Sequence, residues 1–250
     1  MSNEVAPVTY FPGSTSVSRL RVYSWVASDG LAGGTPHLHT SCSEAYVVLG
    51  GRGRVQTLSV DGFTETPLLP SAVVWFSPGV IHRLVNDGDL QLLVIMQNSG
   101  LPEAGDAMMT FPPEYLADRD LYRAAATLPS KLGGPPDDEI EASARRRQRL
   151  AVDGFLALRH AVEEHGTAAL TPTYDAARAL VAPNLANWRK TWSLGASAAA
   201  EQTADFLSGL EAGDASHLAD AKVQSRLTPD AHAFGMCGYL DVYGLNPAEN

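Results

Sequence analysis

Between residues 17 and 97 the chain is cut at short intervals by glycine, proline, aspartate and asparagine, and this punctuation most constrains the fold. The segments left between the cuts are short. In residues 17–26, apolar or aromatic side chains fall largely at alternate positions, the period of a half-buried strand. Residues 37–39, 44–49, 54–60, 63–69, 72–76, 81–85 and 90–97 read as further strands, the last an apolar run suited to burial. Asp61-Gly62 is a hairpin signal, and Ser77-Pro78-Gly79 is a tight turn. Gly50-Gly51-Arg52-Gly53 reads as a hairpin or bulge that needs positive φ. No helix follows it, so it is not a phosphate loop. About eight short strands with turns at this spacing predict a small antiparallel barrel or jelly roll.

After Asn98 the pattern changes. Helices are expected over residues 112–119, 120–126, 139–165, 174–181, 184–192, 196–210 and 216–222. Asp137 or Asp138 would cap the longest and Gly166 would end it. Trp188 and Trp192, four apart, share a helix face suited to core packing. Arg145, Arg146, Arg147 and Arg149 read as a solvated face pairing with Glu139, Glu141 and Asp153; a contact with an acidic partner or a phosphate is the rival. Residues 232–243 fit either a strand that rejoins the sheet or a helix. Residues 128–138 read as a linker. The chain thus divides into a β-domain over 1–127, including an N-terminal arm (residues 1–15), and a helical region over 137–250.

Chemistry concentrates in the strands. His37 and His39 are two apart, so on a strand their imidazoles point to one face. Glu44 opens the next strand, and His82 lies on a later one. Three imidazoles and one carboxylate suit a divalent first-row metal such as Fe, Mn, Co, Ni, Cu or Zn. By alternation Tyr46 points inward with Glu44, as a wall or as a hydrogen-bond donor to a bound substrate. Cys42 sits in the intervening turn, and His160, His165, His217 and His232 read as surface or satisfied groups. Gln56 and Gln97 are candidate polar contacts.

The spacing His37-x-His39-x4-Glu44-x6-Gly51, followed by Gly79-x2-His82-x3-Asn86, resembles the two motifs of the cupin superfamily. The likeness covers residues 22–97. Gly33 or Gly34 opens the first motif slightly early. In the second, Pro78 directly precedes Gly79, and Pro70-Ser71 replaces a leading glycine; neither departure touches a ligand position. The resemblance implies a mainly β fold, a cupin-type antiparallel β-barrel with a helical C-terminal extension. It also implies one divalent metal on His37, His39, Glu44 and His82, with two coordination positions open to water, dioxygen or substrate. Dioxygenation, isomerisation and lyase chemistry are open to such a site. The basic residues near the motifs are Arg52, Arg54 and Arg83, and Arg83 should point away from His82. That favours oxygenase-like chemistry on a neutral or apolar small molecule over a sugar-phosphate isomerase. The alternative is a non-catalytic module for a small ligand or metal, its helices serving oligomerisation or regulation. Homodimers are common in this fold.

A net charge of −10 and a pI near 5.1 argue against nucleic acid and anionic membranes as partners. No apolar run approaches a membrane span of about 18 residues. Two cysteines and no visible secretory signal predict a cytoplasmic protein. Plentiful alanine and arginine with scarce lysine suggest a high-GC bacterial source.

Overall fold

The computed structural model describes residues 11–129, 137–225, 227 and 233–243. Residues 1–10 of the expected arm, 130–136 of the expected linker and His232 lie outside the described residues. In chain order come β1 (Ser16–Val22), β2 (His37–His39), β3 (Glu44–Ser59), β4 (Gly62–Leu68), β5 (Val73–Phe76), β6 (Ile81–Met96) and β7 (Ala107–Met109).

Two pairs of expected strands are each one continuous strand. β3 and β6 both run 16 residues and pair with each other along their length. Register shifts fall between Val48 and Gly53, so the glycine cluster is a bulge that bends β3 rather than a hairpin. Gly51 has a φ of 72°, and a Cβ there would stand 2.1 Å from the Asp89 carbonyl oxygen. A Cβ on Gly53 would stand 2.2 Å from the Val85 oxygen. Only glycine permits such an approach.

The bend gives each long strand two sets of neighbours. The first half of β3 lies between β5 and the second half of β6, which β1 flanks. The second half of β3 lies between β4 and the first half of β6, which β2 and then β7 flank. Every pairing is antiparallel. The path is open: among the described residues no ladder joins its ends, so the barrel expected from the sequence is not closed by pairing. The Asp61-Gly62 hairpin forms as expected, pairing Ser59 with Gly62.

The helices are α1 (Pro113–Ala117), α2 (Arg119–Ala126), α3 (Asp137–His165), α4 (Thr171–Val181), α5 (Leu185–Trp192) and α6 (Ala198–Glu211). Residues expected to form a last helix near 216 make a short 3-10 turn, Ser216–Asp220. Helix α3 buries Ile140, Ala144, Arg147, Gln148, Ala151, Val152, Phe155 and Val162, a face whose members recur three, four or seven residues apart. Phe155 packs with Leu38, Leu58, Ile81 and Phe111 in a core shared with the sheet. Gly154 makes the approach possible: a Cβ there would meet the Thr110 oxygen at 2.1 Å. The chain leaves α3 through Gly166 at a φ of 76°, its N–H donating to the Val162 oxygen.

The basic cluster on α3 is only partly solvated. Arg145 pairs with Glu141, but Arg147 is buried and donates to the Ala126 and Gly235 oxygens. Asp153 accepts from the Ser28 hydroxyl rather than from an arginine. Trp188 joins the core and donates to the Ala104 oxygen, whereas Trp192 is 41% exposed.

After α6 the chain returns to the sheet as β8 (Ala233–Phe234) and β9 (Gly238–Val242). β9 pairs with β1, setting Leu240 opposite Leu20 and Val242 opposite Ser18. This decides the ambiguous segment as strand. No described helix is long and apolar enough to cross a membrane.

Candidate metal centre

The H-x-H strand lies directly against the strand that carries the third histidine. β2 pairs with β6 so that His37 faces His82 across the ladder. Glu44 begins β3 on the other side of β6, opposite Met96. All four side chains are buried, and one donor atom from each lies within 4.8 Å of the others.

The proton inventory of this cluster is unusual. His37 Nδ1 lies 2.9 Å from the Thr35 oxygen, and His82 Nδ1 lies 3.0 Å from the Val80 oxygen. A carbonyl only accepts, so each Nδ1 carries a hydrogen and each Nε2 is the nitrogen turned towards the cluster. Those two Nε2 atoms stand 3.1 Å apart. Glu44 Oε2 is 3.1 Å from His82 Nε2 and 3.3 Å from His39 Nε2. Burial, together with neighbouring His82 and His39, holds His37 well below its ordinary pKa and keeps it neutral. Imidazole nitrogens thus converge on a buried carboxylate, whose charge calls for a cation. A proton satisfies one such pair; a divalent ion satisfies all four donors together. Donors bound at about 2.1 Å to a first-row ion stand about 3.0 Å apart when adjacent, close to the spacings here. The residues fit a metal ion.

His39 is held from behind. Its Nδ1 faces Asp106 Oδ2 at 3.5 Å. Burial opposes its charge, but Asp106 and Glu44 outweigh that and raise its pKa to about 9. Burial likewise works against ionised Glu44, yet His82 and His39 hold its carboxyl well below the usual range. Asp106 also accepts from the Thr40 hydroxyl at 2.6 Å and from the N–H groups of Ser41 and Cys42 at 2.9 and 3.0 Å. One fully buried carboxylate thus fixes both the turn between His39 and Glu44 and the His39 ring. Nothing local in the sequence marks Asp106, because its partners lie more than sixty residues away.

The other sequence candidates separate. Tyr46 is buried beside the cluster, its ring 5.4 Å edge-on to Phe76. Burial, then the Glu44 charge, pushes its hydroxyl well above the ordinary pKa. Cys42 faces Asp106 and Asn98 and stays outside the donor set. Gln56 donates to Glu65, and Gln97 accepts from the Ser43 N–H. Arg83 turns from the cluster to pair with Asp29. Arg54 pairs with Glu65 and Asp87. His160 and His165 are exposed, and His217 stacks on Phe206.

A cavity of 200 Å³ opens onto His37, His39 and Glu44. Its lining includes Met236 and Cys237, carried there by the turn between β8 and β9. Sequence reasoning missed both, since they come from the opposite end of the chain.

No protein-family model and no curated protein matches the chain. Among solved structures, similarity is partial. It includes the capsular polysaccharide assembling protein CapF from Staphylococcus aureus, with 23% identity over 35% of this chain and 24% of that one, TM-score 0.27. The Streptomyces nucleoside dehydratase Pac13 shows 15% identity over 42% of this chain and 71% of that one, TM-score 0.30. The coconut allergen cocosin shows 19% identity over 33% and 21%, TM-score 0.29. The chain spans about a quarter of CapF. Overlaps this partial say nothing about substrate or activity.

Proposed function

We propose that this chain is a metal-dependent enzyme of cupin type acting on a small molecule. One divalent first-row ion is held by the Nε2 atoms of His37, His39 and His82 and by the Glu44 carboxylate. The carrying observation is the facing pair of Nε2 atoms, 3.1 Å apart and beside the Glu44 carboxylate, on rings whose Nδ1 hydrogens are already committed to carbonyls. The ion, when bound, supplies Lewis acidity, and Fe, Ni or Cu would add one-electron chemistry with dioxygen.

The chain's own residues divide the remaining work. Thr35 and Val80 lock two rings in the tautomer a ligand needs. Asp106 orients the third. Tyr46 does not line the cavity, so its role is to pack behind Glu44 and hold that carboxylate's approach. Among the described residues, no arginine or lysine lines the cavity over the cluster. That favours oxygenase-like chemistry on an uncharged molecule over isomerisation or lyase chemistry on a phosphorylated one.

The test is elemental analysis of protein purified without an affinity tag, beside His82→Ala. The expected result is one equivalent of a single transition metal in the wild type and none in the variant. Fe, Ni or Cu would direct oxygen-uptake assays, and Zn or Mn would direct isomerase and lyase assays. No metal, even after reconstitution with each ion in turn, would leave a metal-free binding module as the reading.

A further inference from the structure

The cavity above the metal cluster has mostly apolar walls. Leu20 from β1, Val94 and Met96 from β6, and Met236, Cys237 and Leu240 from the C-terminal hairpin face into it. Ser16, Ser18 and Glu103 stand among its lining. Their polar groups are largely engaged: Ser16 donates to Glu103 at 2.7 Å, and the Gly100 N–H donates to the same carboxylate at 2.8 Å. Among the described residues no lysine or arginine lines the chamber, and His39 is already faced by Glu44 and Asp106, so an anion would have no unpaired countercharge beyond the metal. A cation would leave water for aliphatic and thioether walls, at a cost that Glu103 and Glu44, each already partnered, do not offset. The volume, about 200 Å³, sets the scale of the group that fits inside it. An apolar protein cavity of about 150 Å³ holds benzene.

From walls, charge and volume together, we infer that the ligand of this centre is an uncharged molecule of single-ring size with one oxygen function directed at the metal. The C-terminal hairpin sets that selection, because Met236, Cys237, Leu240 and Val242 are four of the nine apolar lining residues. Only the polar end of the ligand rests on the metal reading; the apolar chamber stands on its own.

The test separates the two. The chain has five methionines. Met96 and Met236 line the chamber, whereas Met108 and Met109 pack in the core shared with α3. Protein labelled with 13C at the methionine methyls is titrated with benzyl alcohol, benzoate and benzylammonium, which share a ring and differ in charge. The titrations are run on metal-free and on zinc-loaded protein, with Met96→Leu and Met236→Leu assigning the signals. Benzyl alcohol is expected to shift Met96 and Met236 selectively in both forms, and to bind at least tenfold more tightly than either ion in the metal-free form. Leu240→Trp should abolish those shifts. Should that variant fail to fold, Val242→Trp at the more exposed end of the same strand should weaken binding at least fivefold. Equal or tighter binding of benzoate or benzylammonium to metal-free protein overturns the inference. So do shifts confined to Met108 and Met109, or a folded tryptophan variant with unchanged affinity. If zinc fails to bind while the alcohol still shifts Met96 and Met236, the metal reading falls and the chamber stands.

Discussion

Replacing Asp106 with asparagine should weaken both the fold and the metal site. Asp106 Oδ1 accepts from the Thr40 N–H, the Thr40 hydroxyl and the Ser41 N–H; Oδ2 accepts from the Cys42 N–H and faces His39 Nδ1. Asparagine keeps the first set with its one oxygen. Its NH2 group then opposes the Cys42 N–H and any hydrogen on His39 Nδ1. The alternative flip forfeits three bonds to keep one. Stranding the buried Cys42 N–H costs about 1–3 kcal/mol, a sizeable share of the roughly 5–15 kcal/mol of a typical domain. Losing the carboxylate behind a metal-binding histidine costs about 10- to 100-fold in metal affinity. Urea unfolding of the metal-free protein should therefore show a lower midpoint at unchanged slope. Competition with a chromophoric chelator should show weaker zinc binding. An unchanged midpoint together with zinc affinity within twofold of wild type would refute this role for Asp106.

Further expectations concern protons and packing. In the metal-free protein His39 titrates near pH 9, so it is charged at neutral pH and metal uptake should release about one proton there. Calorimetry in buffers of different ionisation enthalpy reads that release, which should vanish above about pH 10; no buffer dependence at pH 7 would contradict it. Stability of the metal-free form follows with two signs. The raised pKa of His39 contributes stability fully below its unfolded pKa of about 6.5, lost as pH rises towards 9. The depressed pKa of His37 contributes stability above about 6.5 that is lost as pH falls. Urea midpoints across pH should peak between these two losses. Gly154→Ala should cost about 1–3 kcal/mol or more through backbone overpacking against Thr110 and Phe111; a thermal midpoint equal to wild type would contradict it.

The donor quartet was legible in the sequence because strand geometry enforces it. A two-residue spacing puts His37 and His39 on one face, and the ladder then sets His37 against His82. The helices were legible for a similar reason: the stripe from Ile140 to Val162 keeps a helical period regardless of partner. Strand continuity was hidden, since Gly50 to Gly53 interrupt the strand pattern and only the pairing of β3 with β6 makes them a bend. Arg147 looked solvated because its neighbours Arg146 and Arg149 are; its burial follows from where the C-terminal hairpin lands on α3. Asp106, Met236 and Cys237 act over long sequence separations, which no local period encodes.

The central claim, one ion among these four side chains, is tested most directly by anomalous diffraction from crystals of the metal-loaded protein. Data collected on both sides of the metal's absorption edge should give one peak bounded by His37 Nε2, His39 Nε2, His82 Nε2 and the Glu44 carboxylate. A stoichiometrically loaded protein whose only peak lies elsewhere, or beside fewer than three of these residues, would contradict the account.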